Sequence, residues 1–227
     1  MFFTKKKKKL STMARKLVTI SDSKSIISEQ FRTIRTNITF SMSDTDLKTI
    51  LVTSSIPAEG KSTTVANIGI VFAQEGKKVL IIDADMRKPT LHHTFHAENV
   101  TGLSNVLTRQ SPIYDVIQET PIDGLNIMTS GPTPPNPSEL LASNQLKALI
   151  LEVSRDFDLI FFDAPPLLPV TDAQILSNKC EGTLLIVNSG VVEKMQLQKA
   201  HSILKASQAK LLGAVLNNCE MQSEYYY

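Results

Sequence analysis

Apolar residues along this chain follow two patterns. Unbroken runs occur at Ile50–Val52, Val79–Ile82 and Leu159–Phe162, and the stretches Thr183–Asn188 and Leu212–Asn217 extend the series. A run without alternation predicts a strand buried on both faces, as in a parallel sheet. A further short strand is expected in Leu125–Thr129. Between these runs the spacing turns helical. Val65, Ile68, Gly69 and Phe72 share a face in a helix ending near Gly76, and further helices are predicted over Ser138–Ser154 and Glu193–Ser207. From Ser25 to Met42, residues Ile27, Phe31, Ile34 and Ile38 form one narrow stripe at about 100° per residue. Strands alternating with helices predict an α/β fold, a parallel sheet flanked by helices.

The turn after the first strand carries the chemistry. Ser54–Thr63 ends in Gly60-Lys61-Ser62-Thr63 and leads directly into a helix. Strand, tight loop and helix in that order make a phosphate-binding loop. Its backbone N–H groups converge on phosphate oxygens, and the helix dipole adds positive potential. Lys61 is placed to reach the outer phosphates and the Ser62 hydroxyl to ligate magnesium. Ser55 stands where the usual pattern has its first glycine.

Two more strands deliver acids to the same edge, where ligands bind in open α/β sheets. Asp83 and Asp85 follow Val79–Ile82, and Asp163 follows Leu159–Phe162. Such aspartates can cap turns or helices, but a nucleotide site needs carboxylates for magnesium and for proton transfer. Asp172 reads as the cap of the next helix. Asn136, Pro137 and Glu139 read as a capping box at a helix start after the proline-rich Gly131–Pro135. His92, His93 and His96 lack a nearby Cys or His to complete a metal site, so they read as solvated. Asn217, at the end of the last strand, is a candidate for reading the adenine edge.

A chain of 227 residues with 42% hydrophobic content suits one α/β domain. No apolar run approaches the roughly 20 residues of a membrane-spanning helix. Cys180 and Cys219 stand outside any C-x-x-C spacing, which predicts reduced thiols in a cytosolic setting. The net charge of +2 rests on Lys5–Lys9; without them 19 basic residues face 22 acidic ones. That balance argues against nucleic acid as a partner. Residues 1–12 are no secretory signal and read as the cytoplasmic flank of a membrane helix, or as a foreign basic segment.

Together these motifs resemble the bacterial tyrosine kinases of polysaccharide export and capsule synthesis. The likeness runs from about Ser25 to the C-terminus, through the loop, LIIDADMR, LIFFDAPP, GPTPPNPSELL and the terminal tyrosines. It implies that Ala58, Glu59, Gly60, Lys61, Ser62 and Thr63 hold ATP, later ADP. Ser62, Asp83 and Asp163 would stand on the Mg2+ side, Asp83 would be the catalytic base, and Asp85 would support the metal or Lys61. Tyr225, Tyr226 and Tyr227 would accept phosphate in trans. On spacing alone, Glu29, Arg32 and Arg35 decorate a surface helix; the family's E-x-x-R-x-x-R pattern assigns them instead to the interface of a homo-oligomeric ring. Ala58 replaces a glycine of many relatives. The resemblance also implies a membrane activator, protein substrates in capsular polysaccharide synthesis, and a cytoplasmic location at the inner face of the membrane. Residues 1–12 look like an activator tail fused to a kinase domain at 13–217, followed by a flexible tyrosine tail at 218–227. The competing reading is an ATP switch of the partition or division-site type, but Ile56 occupies the place of its second lysine.

Overall fold

The computed structural model describes residues 17–42 and 47–219. The expectations for residues 1–12 and for Tyr225, Tyr226 and Tyr227 lie outside them. Helices α1 (Val18–Ser21) and α2 (Ile26–Met42) precede strand β1 (Thr49–Ser54), helix α3 (Lys61–Ala73) and strand β2 (Val79–Asp83). Short helices α4 (Leu91–Phe95) and α5 (Leu103–Leu107) lead to β3 (Ile117–Glu119) and β4 (Leu125–Met128). The second half runs α6 (Pro137–Ala142), α7 (Asn144–Val153), β5 (Leu159–Asp163), α8 (Asp172–Lys179), β6 (Gly182–Asn188), α9 (Lys194–Ala206) and β7 (Leu211–Asn217).

The sheet has seven strands in the order β3-β4-β2-β5-β1-β6-β7. Every pairing is parallel except β3 with β4. Consecutive residues of a strand point to opposite faces, and both faces are apolar. On one, Leu51, Leu80, Ile82, Ile160 and Phe162 pack under α5–α9. On the other, Ile50, Val52, Ile81 and Phe161 pack under α1–α3. This two-sided burial is why the central runs lack alternation. No helix among the described residues is long and apolar enough to cross a membrane.

Four expectations about helices and strands are corrected. The stripe on α2 is rotated: Ser28 is buried and bonds Asp22 O at 2.7 Å, while Ile27 is 49% exposed. Phe31, Ile34 and Ile38 still face the core. The long helix over Ser138–Ser154 is two helices broken at Ser143, whose backbone is extended at φ −67°, ψ 161°. The Ser143 hydroxyl donates to Leu140 O at 2.6 Å, taking a carbonyl from the helical ladder. The corner lets Leu141 of α6 and Leu146 and Leu149 of α7 reach the same core. Ahead of the break, Asn136 does sit at the N-cap with Pro137 next, but its amide bonds the Glu139 side chain in place of the reciprocal box. Finally, β7 is an edge strand and not a buried one, with Leu216 63% exposed.

Candidate functional site

Strands β1, β2 and β5 end side by side at one edge of the sheet. Asp83 and Asp163 face each other in register at their ends. Beside them, residues 55–60 climb from β1 to the N-terminus of α3. Gly60 caps that helix at φ +85°, a left-handed conformation that suits glycine. Ala58 adopts φ 65°, so its β-carbon costs roughly 1–2 kcal/mol that the rest of the loop must offset.

Much of that fixing comes from Glu59. Its side chain is buried, and its carboxylate accepts the Ile56 N–H at 2.7 Å and the Asn188 N–H at 2.8 Å. The loop is thereby stapled to itself and to the end of β6. Asn217, at the end of β7, donates from Nδ2 to Glu59 O at 2.9 Å. A glutamate between Ala58 and Gly60 looks like an ordinary solvated loop residue in sequence. Only the distant strand ends reveal its inward role.

Lys61 opens α3 and places Nζ 3.2 Å from Asp85 Oδ2, both side chains largely buried. The other Asp85 oxygen accepts the Lys88 N–H at 3.0 Å. Asp83 has no exposed surface, and its Oδ2 accepts the Thr90 and Leu91 N–H groups at 3.1 Å each. It thus caps α4 from a distance while standing at the site. Burial, with Asp163 and Asp85 nearby, holds the Asp83 carboxyl well above the usual carboxylate range despite those amide donors. Asp163 is raised to about 6, chiefly by burial and held down by Lys61 and the Ser62 hydroxyl. Neither Asp163 oxygen has a partner that meets hydrogen-bond geometry. A buried polar group left so is costly, and at the head of a phosphate loop a water or a cation would satisfy it.

This arrangement suits phosphates and a divalent cation. Amides of a helix N-terminus, one lysine and two or three carboxylates converge on a small volume. Among the described residues no cluster of three or more His, Cys, Asp or Glu is placed to hold a metal alone. Magnesium commonly takes only one or two carboxylates and draws its remaining ligands from phosphates and water.

Other residues fall outside this site. Asp172 is the first residue of α8, after Thr171 at the N-cap, and makes no capping bond. It is fully buried and accepts two hydrogen bonds from Arg87 and one, at 2.6 Å, from the Ser138 hydroxyl. In sequence Arg87 stands out only as part of the LIIDADMR motif; its role depends on a partner 85 residues away. Glu29 and Arg32 pair with each other on α2, whereas Arg35 bonds Val71 O at 3.2 Å and pairs with Glu75 at 3.4 Å. His92 and His93 lie ring against ring at 3.8 Å on α4, with His93 and His96 exposed.

Residues 47–188 match the family model of the AAA domain, in keeping with a fold like that of phosphate-loop NTPases. Tyrosine-protein kinase YwqD of Bacillus subtilis (strain 168) is 47% identical over 98% of this chain and 94% of its own length. Putative tyrosine-protein kinase CapB of Staphylococcus aureus is 44% identical over 95% of this chain and 98% of its own. The crystal structure of the chimerical protein CapA2B2 superposes with a TM-score of 0.88 at 42% identity, covering 91% of both chains. With the phosphate loop, the paired acids and these relatives in agreement, the chain belongs to the bacterial tyrosine-protein kinases.

Proposed function

We propose that this kinase transfers the γ-phosphoryl group of ATP to the tyrosines of its own C-terminal tail, and to protein substrates that govern capsular polysaccharide synthesis or export. The observation that carries this reading is the Asp163 carboxylate, fully buried beside Lys61 and Ser62 with neither oxygen held in hydrogen-bond geometry. A carboxylate so placed fits a magnesium ion completed by phosphate oxygens. Bound magnesium would neutralise charge developing on the phosphates.

The chain's own residues supply the rest. Amides of Ala58, Glu59, Gly60, Lys61, Ser62 and Thr63 cradle the phosphates. Lys61 leaves Asp85 to contact the outer phosphates, and Asp85 sets the position it leaves from. Ser62, Asp163 and Asp83 are the residues that would hold magnesium. Free tyrosine has a pKa of about 10 and must lose its proton. Burial raises the proton affinity of Asp83, which suits it to accept that proton late in a loose transfer.

Strand β7 ends at this same edge, so the tail departs from the nucleotide side. From Asn218 to Tyr227 an extended chain spans roughly 33–36 Å, enough to reach a neighbouring subunit. The remaining parts of the reading follow the family: a ring built through Glu29, Arg32 and Arg35 of α2, a membrane activator mimicked by residues 1–12, and a place at the inner face of the membrane. The test mixes a Lys61→Met subunit bearing an intact tail with an active subunit lacking Tyr225–Tyr227, under labelled ATP. Phosphotyrosine on the inactive subunit is the expected result. An unlabelled tail in co-assembled subunits would overturn transfer in trans, and no phosphotyrosine on the parent protein would overturn self-phosphorylation.

A further inference from the structure

Three distant parts of the chain meet around Glu59. Its side chain takes the Asn188 N–H from the end of β6, at 2.8 Å. Its own carbonyl takes the Asn217 amide from the end of β7, at 2.9 Å. Asn188 and the end of β7 are themselves joined: Asn218 Nδ2 donates to Asn188 Oδ1 at 3.0 Å, and Ser189 N–H to Asn217 O at 2.9 Å. The result is a closed ring of hydrogen bonds that ties the phosphate loop to the ends of β6 and β7. The fit is tight, since a β-carbon on Gly60 would lie 2.1 Å from Asn217 Nδ2. From this geometry we infer that Asn217 is a positioning residue for the phosphate loop, gripping it through Glu59 so that the Gly60–Thr63 amides point at the nucleotide's phosphates whatever base that nucleotide carries.

The inference rests on the phosphate-loop reading and adds a specific cause for the loop's shape. Ala58 and Gly60 both hold left-handed backbone, which an untethered loop would relax. The Glu59 carbonyl lies between them, and its orientation fixes the peptide plane that leads into Gly60. A donor on that carbonyl therefore holds the amides at the start of α3 in register. Asn217 donates; an aspartate of the same shape could not, and would set a negative charge against the carbonyl.

The decisive comparison uses the full chain with magnesium and three probes: ATP, GTP and inorganic tripolyphosphate, which has no base. Asn217→Asp should weaken all three by a similar factor of about five to tenfold, as loss of one hydrogen bond plus a repulsion would do. The Glu59→Gln variant tests the ring from the loop side, because one of its two amide partners then faces an N–H donor. It should show the same uniform loss, and it keeps the idea testable if Asn217→Asp does not fold. An altered preference of ATP over GTP with tripolyphosphate binding unchanged would make Asn217 a reader of the base and overturn the clamp. Unchanged affinity for all three probes would overturn it as well. A parent protein that binds neither ATP nor tripolyphosphate would instead defeat the phosphate-loop reading beneath it.

Discussion

Arg87 grips Asp172 with two hydrogen bonds, Nε to Oδ2 at 2.9 Å and Nη2 to Oδ1 at 3.1 Å, and Asp172 has no exposed surface. The pair joins the loop after β2 to the start of α8, and the Ser138 hydroxyl ties in α6. Removing the guanidinium leaves a buried carboxylate without its counter-charge. Arg87→Ala should destabilise the fold by about 2–4 kcal/mol, the lower end reflecting Arg87's partial exposure. Arg87→Lys keeps the charge but loses the two-pronged geometry and should fall between. Urea unfolding midpoints of the three proteins check this order, and equal midpoints would show the pair to be incidental.

Lys61→Met should abolish kinase activity, by at least about a hundredfold, since Lys61 is the cation that the head of α3 sets beside the phosphate loop. The structure adds an effect on the ligand-free protein. Lys61 is the partner of Asp85 in a pocket that also holds Asp83 and Asp163. Its loss leaves three acids together, so the variant's ligand-free stability should fall more steeply than the parent's as pH rises above 5. Activity is read by phosphotyrosine formation and stability by thermal unfolding at several pH values.

The pH dependence of Asp163 has a definite sign. Its carboxyl is raised to about 6 in the folded chain, against an ordinary value of about 3.9 once unfolded. Between those values the folded state binds the extra proton, so this contribution is full below about 4 and is lost as pH rises through 6. Without nucleotide or magnesium, the parent should lose on the order of 2 kcal/mol from this source between pH 4 and pH 7. Asp163→Asn should flatten that slope. A parent and variant with the same slope would place the titration elsewhere.

The three charges on α2 should separate in behaviour. Arg35 bonds Val71 O and Glu75 on and just after α3, so Arg35→Ala should cost about 1 kcal/mol of stability. Glu29→Ala touches only the exposed pair with Arg32 and should leave stability within about 0.5 kcal/mol. Both changes should reduce assembly size in light scattering if α2 meets a neighbouring subunit. A large assembly after the triple change to alanine would return Glu29 and Arg32 to the solvated surface.

Local pattern carried much of this fold. The runs at Val79–Ile82 and Leu159–Phe162 are apolar because helices cover both faces of β2 and β5, and that composition is visible residue by residue. The loop from Ser54 to Thr63 is equally local. What escaped the sequence was decided at long range. Leu212–Asn217 has a core strand's composition, yet β7 lies at the sheet edge because only β6 pairs with it. Asp172 resembles a cap until Arg87 arrives from another strand end. Glu59 has the most distant partners, and in sequence it is one acid in a loop. The break at Ser143 was local but hidden, since a single serine hydroxyl competes with the ladder there.

The position of β1 in the sheet also sets the order of assembly during synthesis. Its two neighbours are β5, where Thr49 pairs with Ile160, and β6, where Ile50 pairs with Gly182. The loop that follows β1 is made early, but the strands that flank it leave the ribosome more than a hundred residues later. Such non-local pairing makes folding slow and leaves strand edges open in the meantime. The loop's tether on Asn217 comes later still, 158 residues after Glu59. A nascent chain stalled before that point should therefore bind nucleotide poorly, although its phosphate loop has long been made.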